Sequence, residues 1–200
     1  MKKSIVFAWL GILIVGIVSL FWYNDWRYSL PTPVPGNHIN VNLGDSVDMP
    51  RSLATYAGKP TLLHFFNPDC PCSRFNIPHF RSLVKNYGND VTFVIVPLTQ
   101  PGRKISVEEV QDKFDLDIPV VFDSSLVTLL GVYSTPQAVI INSHHRLYYR
   151  GNYNRSRYCT DEKSNYAQMA LDAVLQETRN PNFDPIALKA YGCQITMCSK

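Results

Sequence analysis

Residues 60–87 read PTLLHFFNPDCPCSRFNIPHFRSLVKNY, and the fold turns on how this stretch divides. Pro60–Phe66 is an apolar run of strand length, the pattern of a strand covered on both faces. Cys72–Tyr87 places Phe75, Phe80, Leu83, Val84 and Tyr87 roughly on one helical face. Between the two lies Cys70-Pro71-Cys72, where a strand hands over to a helix. Free backbone N–H groups and the helix dipole favour negative charge at such a junction. A thiol there ionises more readily and becomes a better nucleophile near neutral pH. Two structural cysteines or a metal-binding pair are the plainer alternatives.

Further along, strand and helix signals continue to alternate. Val91–Leu98 is rich in β-branched residues and reads as a second central strand. Ser106-Val-Glu-Glu109 is a capping box that starts a short helix. Ile118–Phe122 reads as a short strand and Ser125–Leu130 as one or two helical turns. Gln137–Asn142 and Arg146–Arg150 are separated only by a short connection, so they read as an antiparallel hairpin. Ser164–Gln176 has apolar residues at 167, 170, 171, 174 and 175, an amphipathic helix. Strands covered by helices imply an α/β sandwich.

The N-terminus is a separate object. Ile5–Tyr23 is a 19-residue run without charge, long enough at ~1.5 Å per residue to cross a bilayer. A cleaved signal peptide is the rival reading. The run is long for one, no small-residue cleavage site follows, and Phe21, Trp22, Tyr23 and Trp26 suit a membrane-interface belt. Lys2 and Lys3 mark the cytoplasmic side, so the remainder is expected across the membrane, where cysteine pairs persist. Leu30–Asn37 (LPTPVPGN) is too proline-rich for helix or central strand and reads as a stiff spacer. The expected organisation is a short cytoplasmic segment 1–4, an anchor 5–23, a spacer 24–41, a domain 42–178 and a cysteine-containing tail 179–200. Beyond residue 23, 17 basic side chains balance 16 acidic ones, against the basic surface that a nucleic-acid binder needs.

Gly58-Lys59-Pro60-Thr61-Leu62-Leu63-His64-Phe65-Phe66-Asn67-Pro68-Asp69-Cys70-Pro71-Cys72 resembles the G-K-x-x-L-L-x-F-W-x-x-x-C-x-x-C segment of the membrane-anchored, TlpA-like thioredoxin family. Ser134-Thr135-Pro136 is similar to that family's cis-proline loop. The resemblance covers about residues 42–178. It implies a thioredoxin-like central sheet flanked by helices, after one transmembrane helix. It also implies thiol–disulfide exchange with exported proteins, a redox partner that recycles the cysteines, no cofactor, and a place on the periplasmic face of a bacterial inner membrane. The motif departs from the family in being C-x-C, with Ser73 next. Thioredoxins often carry a buried acid six residues before the first cysteine and a kinking proline eight after it. Here His64 and Pro78 hold those spacings from Cys70, so Cys70 is the first cysteine and Ser73 stands where the resolving one belongs.

Two mechanisms follow. In the first, Cys70 attacks a substrate disulfide and Cys72 resolves it, a route favoured by proximity. In the second, Cys70 works with a distant resolver and Cys72 is auxiliary. His64 is expected beneath the cysteines, either taking a proton from the resolving thiol or resting as a core histidine. By the resemblance, Thr135-Pro136 is cis, faces the cysteines and offers backbone groups to an extended substrate. A tight Cys70–Cys72 ring points to oxidation or isomerisation, whereas the family points to reduction.

Cys159, Cys193 and Cys198 lie outside the motif. A tail disulfide, or a bridge from Cys159 to the tail, is the structural reading; the sharper one passes oxidising equivalents from the active pair to a tail cysteine. The competing function is Sco-like copper handling through Cys70, Cys72 and His79, His144 or His145, since thiolates suit Cu(I). A peroxidase reading lacks the P-x-x-x-T-x-x-C threonine before Cys70.

Overall fold

The computed structural model describes residues 2–56, 58–100, 102–155, 164–179 and 181–195. The chain forms two compact units, Met1–Pro31 and Thr32–Lys200. The first is essentially α1 (Lys2–Ser29). Its stretch Lys3–Trp26 is long and apolar enough to cross a membrane, with none of it buried in protein.

The second unit follows the order α2 (Arg51–Ala54), β1 (Thr61–Phe66), α3 (Pro71–Phe75), α4 (Ile77–Tyr87), β2 (Thr92–Pro97), α5 (Val107–Phe114) and α6 (Ser125–Leu129), and continues through β3 (Ser134–Thr135), β4 (Gln137–Ile141), β5 (Leu147–Gly151), α7 (Tyr166–Leu175), α8 (Pro185–Leu188) and β6 (Cys193–Gln194). The main sheet has the order β2-β1-β4-β5. β1 runs parallel to β2 and antiparallel to β4, and β4–β5 is the expected hairpin.

All six residues of β1 are buried, because both sheet faces are covered. Leu62 and Phe66 point into a core built with Phe80, Leu83, Phe114 and Leu171. Leu63 and Phe65 point the other way, against Leu53, Val94, Leu126, Val139 and Leu147. His64 shares its face with Leu62 and Phe66, as the period of two requires. Its burial is therefore a consequence of register.

The capping box acts as expected: Ser106 Oγ accepts from Glu109 N at 3.1 Å and begins α5. Two expectations are modified, each by a proline. The helix read over Cys72–Tyr87 breaks at Asn76, between α3 and α4. Pro78 has no N–H to give to the carbonyl four residues back. Ile118–Phe122 makes only a single parallel bridge, Ile95 to Val120, with Pro119 inside it unable to donate to a ladder.

The described part of the segment expected as a tail packs on the domain. Asp184 caps α8 by accepting from Ile186 N at 2.9 Å. Asn152, just past β5, fastens the rest: its Nδ2 donates to Ile186 O at 3.0 Å and to Lys189 O, and its Oδ1 accepts from Tyr191 N at 3.1 Å. The spacer joins in from Thr32, whose N donates to Ala190 O at 2.8 Å. Replacing Asn152 by Ala leaves these part-buried backbone groups unpaired and is expected to cost ~1–3 kcal/mol. Denaturant unfolding measures that loss, and limited proteolysis should show cleavage beginning in the segment after residue 180.

Candidate active site

Cys70 is the N-cap of α3, in extended conformation at φ −88°, with Pro71 in the first helical position. Pro is tolerated there because the first helical N–H has no intrahelical partner. The turn that presents Cys70 is tied locally. Cys70 N donates to Asn67 O at 3.1 Å, and Ser73 N and Arg74 N donate to Cys70 O at 3.1 and 3.3 Å. Ser73, where the resemblance leads one to expect the resolving cysteine, is buried, and its Oγ accepts from Asn67 N at 3.3 Å.

The Thr135–Pro136 bond is cis, and the Cys70 sulfur lies 4.0 Å from the Thr135 carbonyl oxygen. The two sequence motifs, 65 residues apart, therefore meet. Cys70 is only 2% exposed, because the tail covers it.

The Cys70 sulfur is bonded to Cys193, with the Cα atoms 6.3 Å apart. Cys72 is a free thiol, buried. This is the arrangement of the second mechanism, a distant partner for Cys70, rather than a closed Cys70–Cys72 pair. The reason is tertiary: β6 runs antiparallel to β3, and the register sets Cys193 opposite Thr135. The sulfurs of Cys70, Cys72 and Cys193 all lie within 4.8 Å of one another. Cys159 and Cys198 lie outside the described residues.

Cys72 lines a cavity of about 20 Å³ with Asn76, Pro136, Asn152, Tyr153, Asn154 and Tyr191. His64 reaches this cavity only through a neighbour. Its Nδ1 is 2.6 Å from the Tyr153 hydroxyl, and its ring stacks on Phe80 at 4.5 Å between centroids. Burial, reinforced by His79, pushes the His64 ring down to about 3, so it is neutral at physiological pH. Burial likewise holds the Tyr153 hydroxyl well above the usual phenol range. His79 is lowered by burial and meets Asn154 Nδ2 through Nδ1 at 2.9 Å.

Of the histidines invoked for copper, His79 lies nearby, against Asn154 and Tyr153, but is not part of the sulfur cluster. His144 and His145 sit in the β4–β5 turn, at the opposite end of β4 from Pro136. Among the described residues, the candidate metal cluster is Cys70, Cys72 and Cys193, with no histidine. Sequence reasoning weighed a tail cysteine as a redox partner of the active pair without singling out Cys193, and missed Tyr153 and Asn154. For Cys193 a signal existed in Gly192 beside it, since a glycine inside a strand-like stretch often marks close backbone approach. A Cβ on Gly192 would collide with the Thr135 carbonyl and the Ser134 hydroxyl.

Solved structures share this architecture. A hypothetical protein from Sinorhizobium meliloti 1021 matches with a TM-score of 0.63 and 19% identity, over 79% of this chain and 96% of that one. A thiol:disulfide interchange protein of the thioredoxin family from Chlorobium tepidum TLS matches with a TM-score of 0.50 and 17% identity, over 68% of this chain and 99% of that one. In sequence, the chain is 24% identical over 144 residues to the thiol-disulfide oxidoreductase ResA of Halalkalibacterium halodurans, covering 68% of this chain and 81% of that protein. Fold, cysteine position and cis-proline together define a thioredoxin-like redox enzyme of the thiol–disulfide oxidoreductase class. Within that class, the chain belongs to the family described as "Domain of unknown function (DUF6436)", which matches residues 42–198.

The buried imidazole has a measurable signature. Unfolded chains bind its proton near 6.5 and the folded protein only near 3, so stability present at neutral pH is lost as pH falls through this window. His79 adds in the same direction. Between pH 7 and about pH 4.5 the His64 contribution amounts to roughly 2–3 kcal/mol. Urea unfolding of His64→Phe across this range should show a correspondingly shallower decline than wild type; an identical decline would mean that His64 takes up no extra proton on unfolding.

Proposed function

We propose that the protein is a membrane-anchored, extracytoplasmic thiol–disulfide oxidoreductase whose nucleophile is Cys70. The carrying observation is the Cys70 sulfur at a strand-to-helix junction, 4.0 Å from the carbonyl that precedes a cis proline. Thr135 and Pro136 present backbone groups to an extended segment of an exported protein. Cys70 exchanges its sulfur bond with that segment, and a neighbouring sulfur completes the exchange. His64 is a positioning residue, holding Tyr153 at the wall of the cavity that contains Cys72. A base as weak as this neutral imidazole is poorly matched to taking a proton from a thiol.

The proposed location is the bacterial inner membrane, with α1 as a single span and the domain on the periplasmic side. Lys2 and Lys3 ahead of the apolar stretch support this orientation. A disulfide between residues 123 apart suits an oxidising compartment. Recycling of the cysteines falls to a further redox protein.

The test removes both sulfurs beside the nucleophile. A Cys72→Ser, Cys193→Ser double variant in cells should accumulate reducible mixed disulfides with exported proteins, while adding Cys70→Ser should abolish them. Non-reducing electrophoresis after acid quenching reads both, and adducts that persist without Cys70 would refute its role.

The three-sulfur cluster gives the copper reading one specific footing, because thiolates at such separations suit Cu(I). It applies only to the reduced protein, since a disulfide withdraws two of the three ligands. Stoichiometric Cu(I) binding by the reduced protein, coupled with no trapped partners, would favour it.

A further inference from the structure

The cis-proline edge is already taken by the chain itself. Thr135 pairs with Cys193 and Ser134 with Gln194, and Ile195 N donates to Tyr133 O at 3.2 Å. The strand's approach is braced from the other side, where Thr32 Oγ1 donates to Gly192 O at 3.1 Å and Thr32 N to Ala190 O at 2.8 Å. Gly192 admits the close contact that a Cβ would prevent. The sulfur this strand delivers is bonded to Cys70, and the remaining thiol, Cys72, lies within 4.8 Å of both. An added β-strand with a cysteine on the nucleophile is the form expected of an enzyme–substrate mixed disulfide.

We infer that residues 191–195 are a built-in substrate mimic and that Cys193 is a third redox cysteine of the enzyme. This rests on the oxidoreductase reading above. The oxidised enzyme rests as Cys70–Cys193, and Cys72 releases the tail. Cys72 gives its proton to solvent, and its thiolate attacks the Cys70 sulfur. The Cys70–Cys72 bond forms, the Cys70–Cys193 bond breaks, and the electron pair leaves on Cys193, which takes up a proton. No net oxidation occurs. The vacated edge of β3 then accepts an extended, cysteine-bearing segment of another protein, whose thiolate attacks Cys70 and expels Cys72. In its absence Cys193 reverses the first step. The substrates so selected are unfolded or extended segments able to pair with Ser134 and Thr135, in competition with a tethered strand.

The experiment uses the oxidised full-length chain in detergent. Free thiols are alkylated, and the disulfides are mapped by proteolysis and mass spectrometry. Wild type and Cys72→Ser should both yield a Cys70–Cys193 link, and Cys193→Ser a Cys70–Cys72 link. Gly192→Val, which removes no sulfur, should shift the wild-type link towards Cys70–Cys72. A tethered strand competes at an effective concentration near millimolar, so a single-cysteine extended peptide at micromolar concentration should react at least ~10-fold faster with Cys193→Ser than with wild type. A Cys70–Cys72 link in wild type, or equal peptide rates in the two proteins, overturns the inference. If Cys70-dependent exchange with the peptide survives that result, the oxidoreductase reading stands alone; if no variant shows such exchange, both fall.

Discussion

The sulfur of Cys70 is held between two pieces of backbone that have no freedom to separate: the exit of β1 and the edge of β3. Burial of β1 on both faces sets where its last residue lies. The turn from Asn67 to Arg74 converts that position into the start of α3. Antiparallel pairing of β4 with β1, which sets Gln137 opposite Phe65, in turn places Thr135 and Pro136 against the same sulfur. Cys193 closes the arrangement by tying a segment near the C-terminus to the first strand's exit. In the chain-entropy account, a loop of 123 residues restrained in this way removes roughly 5 kcal/mol of unfolded-state freedom. The bond is thus a structural restraint as well as the redox group proposed above, and its exchange would change how the tail is held.

Beneath the sulfurs lies a layer of polar groups kept uncharged by burial. His64 meets Tyr153, and His79 meets Asn154. Aromatic rings of Phe66, Phe80 and Phe114 surround His64. An ionised acid at this position would be difficult to accommodate in such company. A histidine preserves a hydrogen-bonding site while remaining neutral. The only thiol among the described residues, Cys72, shares its cavity with Tyr153 and Asn154.

Much of the scaffold could be read from local pattern. The apolar run Pro60–Phe66, the capping box at Ser106 and the hairpin around Asn142 each carry their own signal within a few residues, and each forms where expected. Proline marked the places where periodicity alone misled. Pro78 divides a helix that looked continuous, and Pro119 reduces a strand to a bridge. The cysteine junction and the cis Thr135–Pro136 bond were also legible, through their resemblance to a known pair of motifs.

From the chain alone came the buried strand, the junction that presents Cys70, the apolar N-terminal helix and the α/β architecture. All of them depend on side-chain periodicity and local backbone chemistry. Which sulfur bonds to Cys70 was decided only by the folded molecule. Cys72 is two residues away and Cys193 is 123 away, yet strand pairing with β3 and the hold of Asn152 and Thr32 bring the distant one into contact. Sequence separation measures the cost of closing a loop in the unfolded chain. Once the sheet has formed, position along a shared strand edge replaces it.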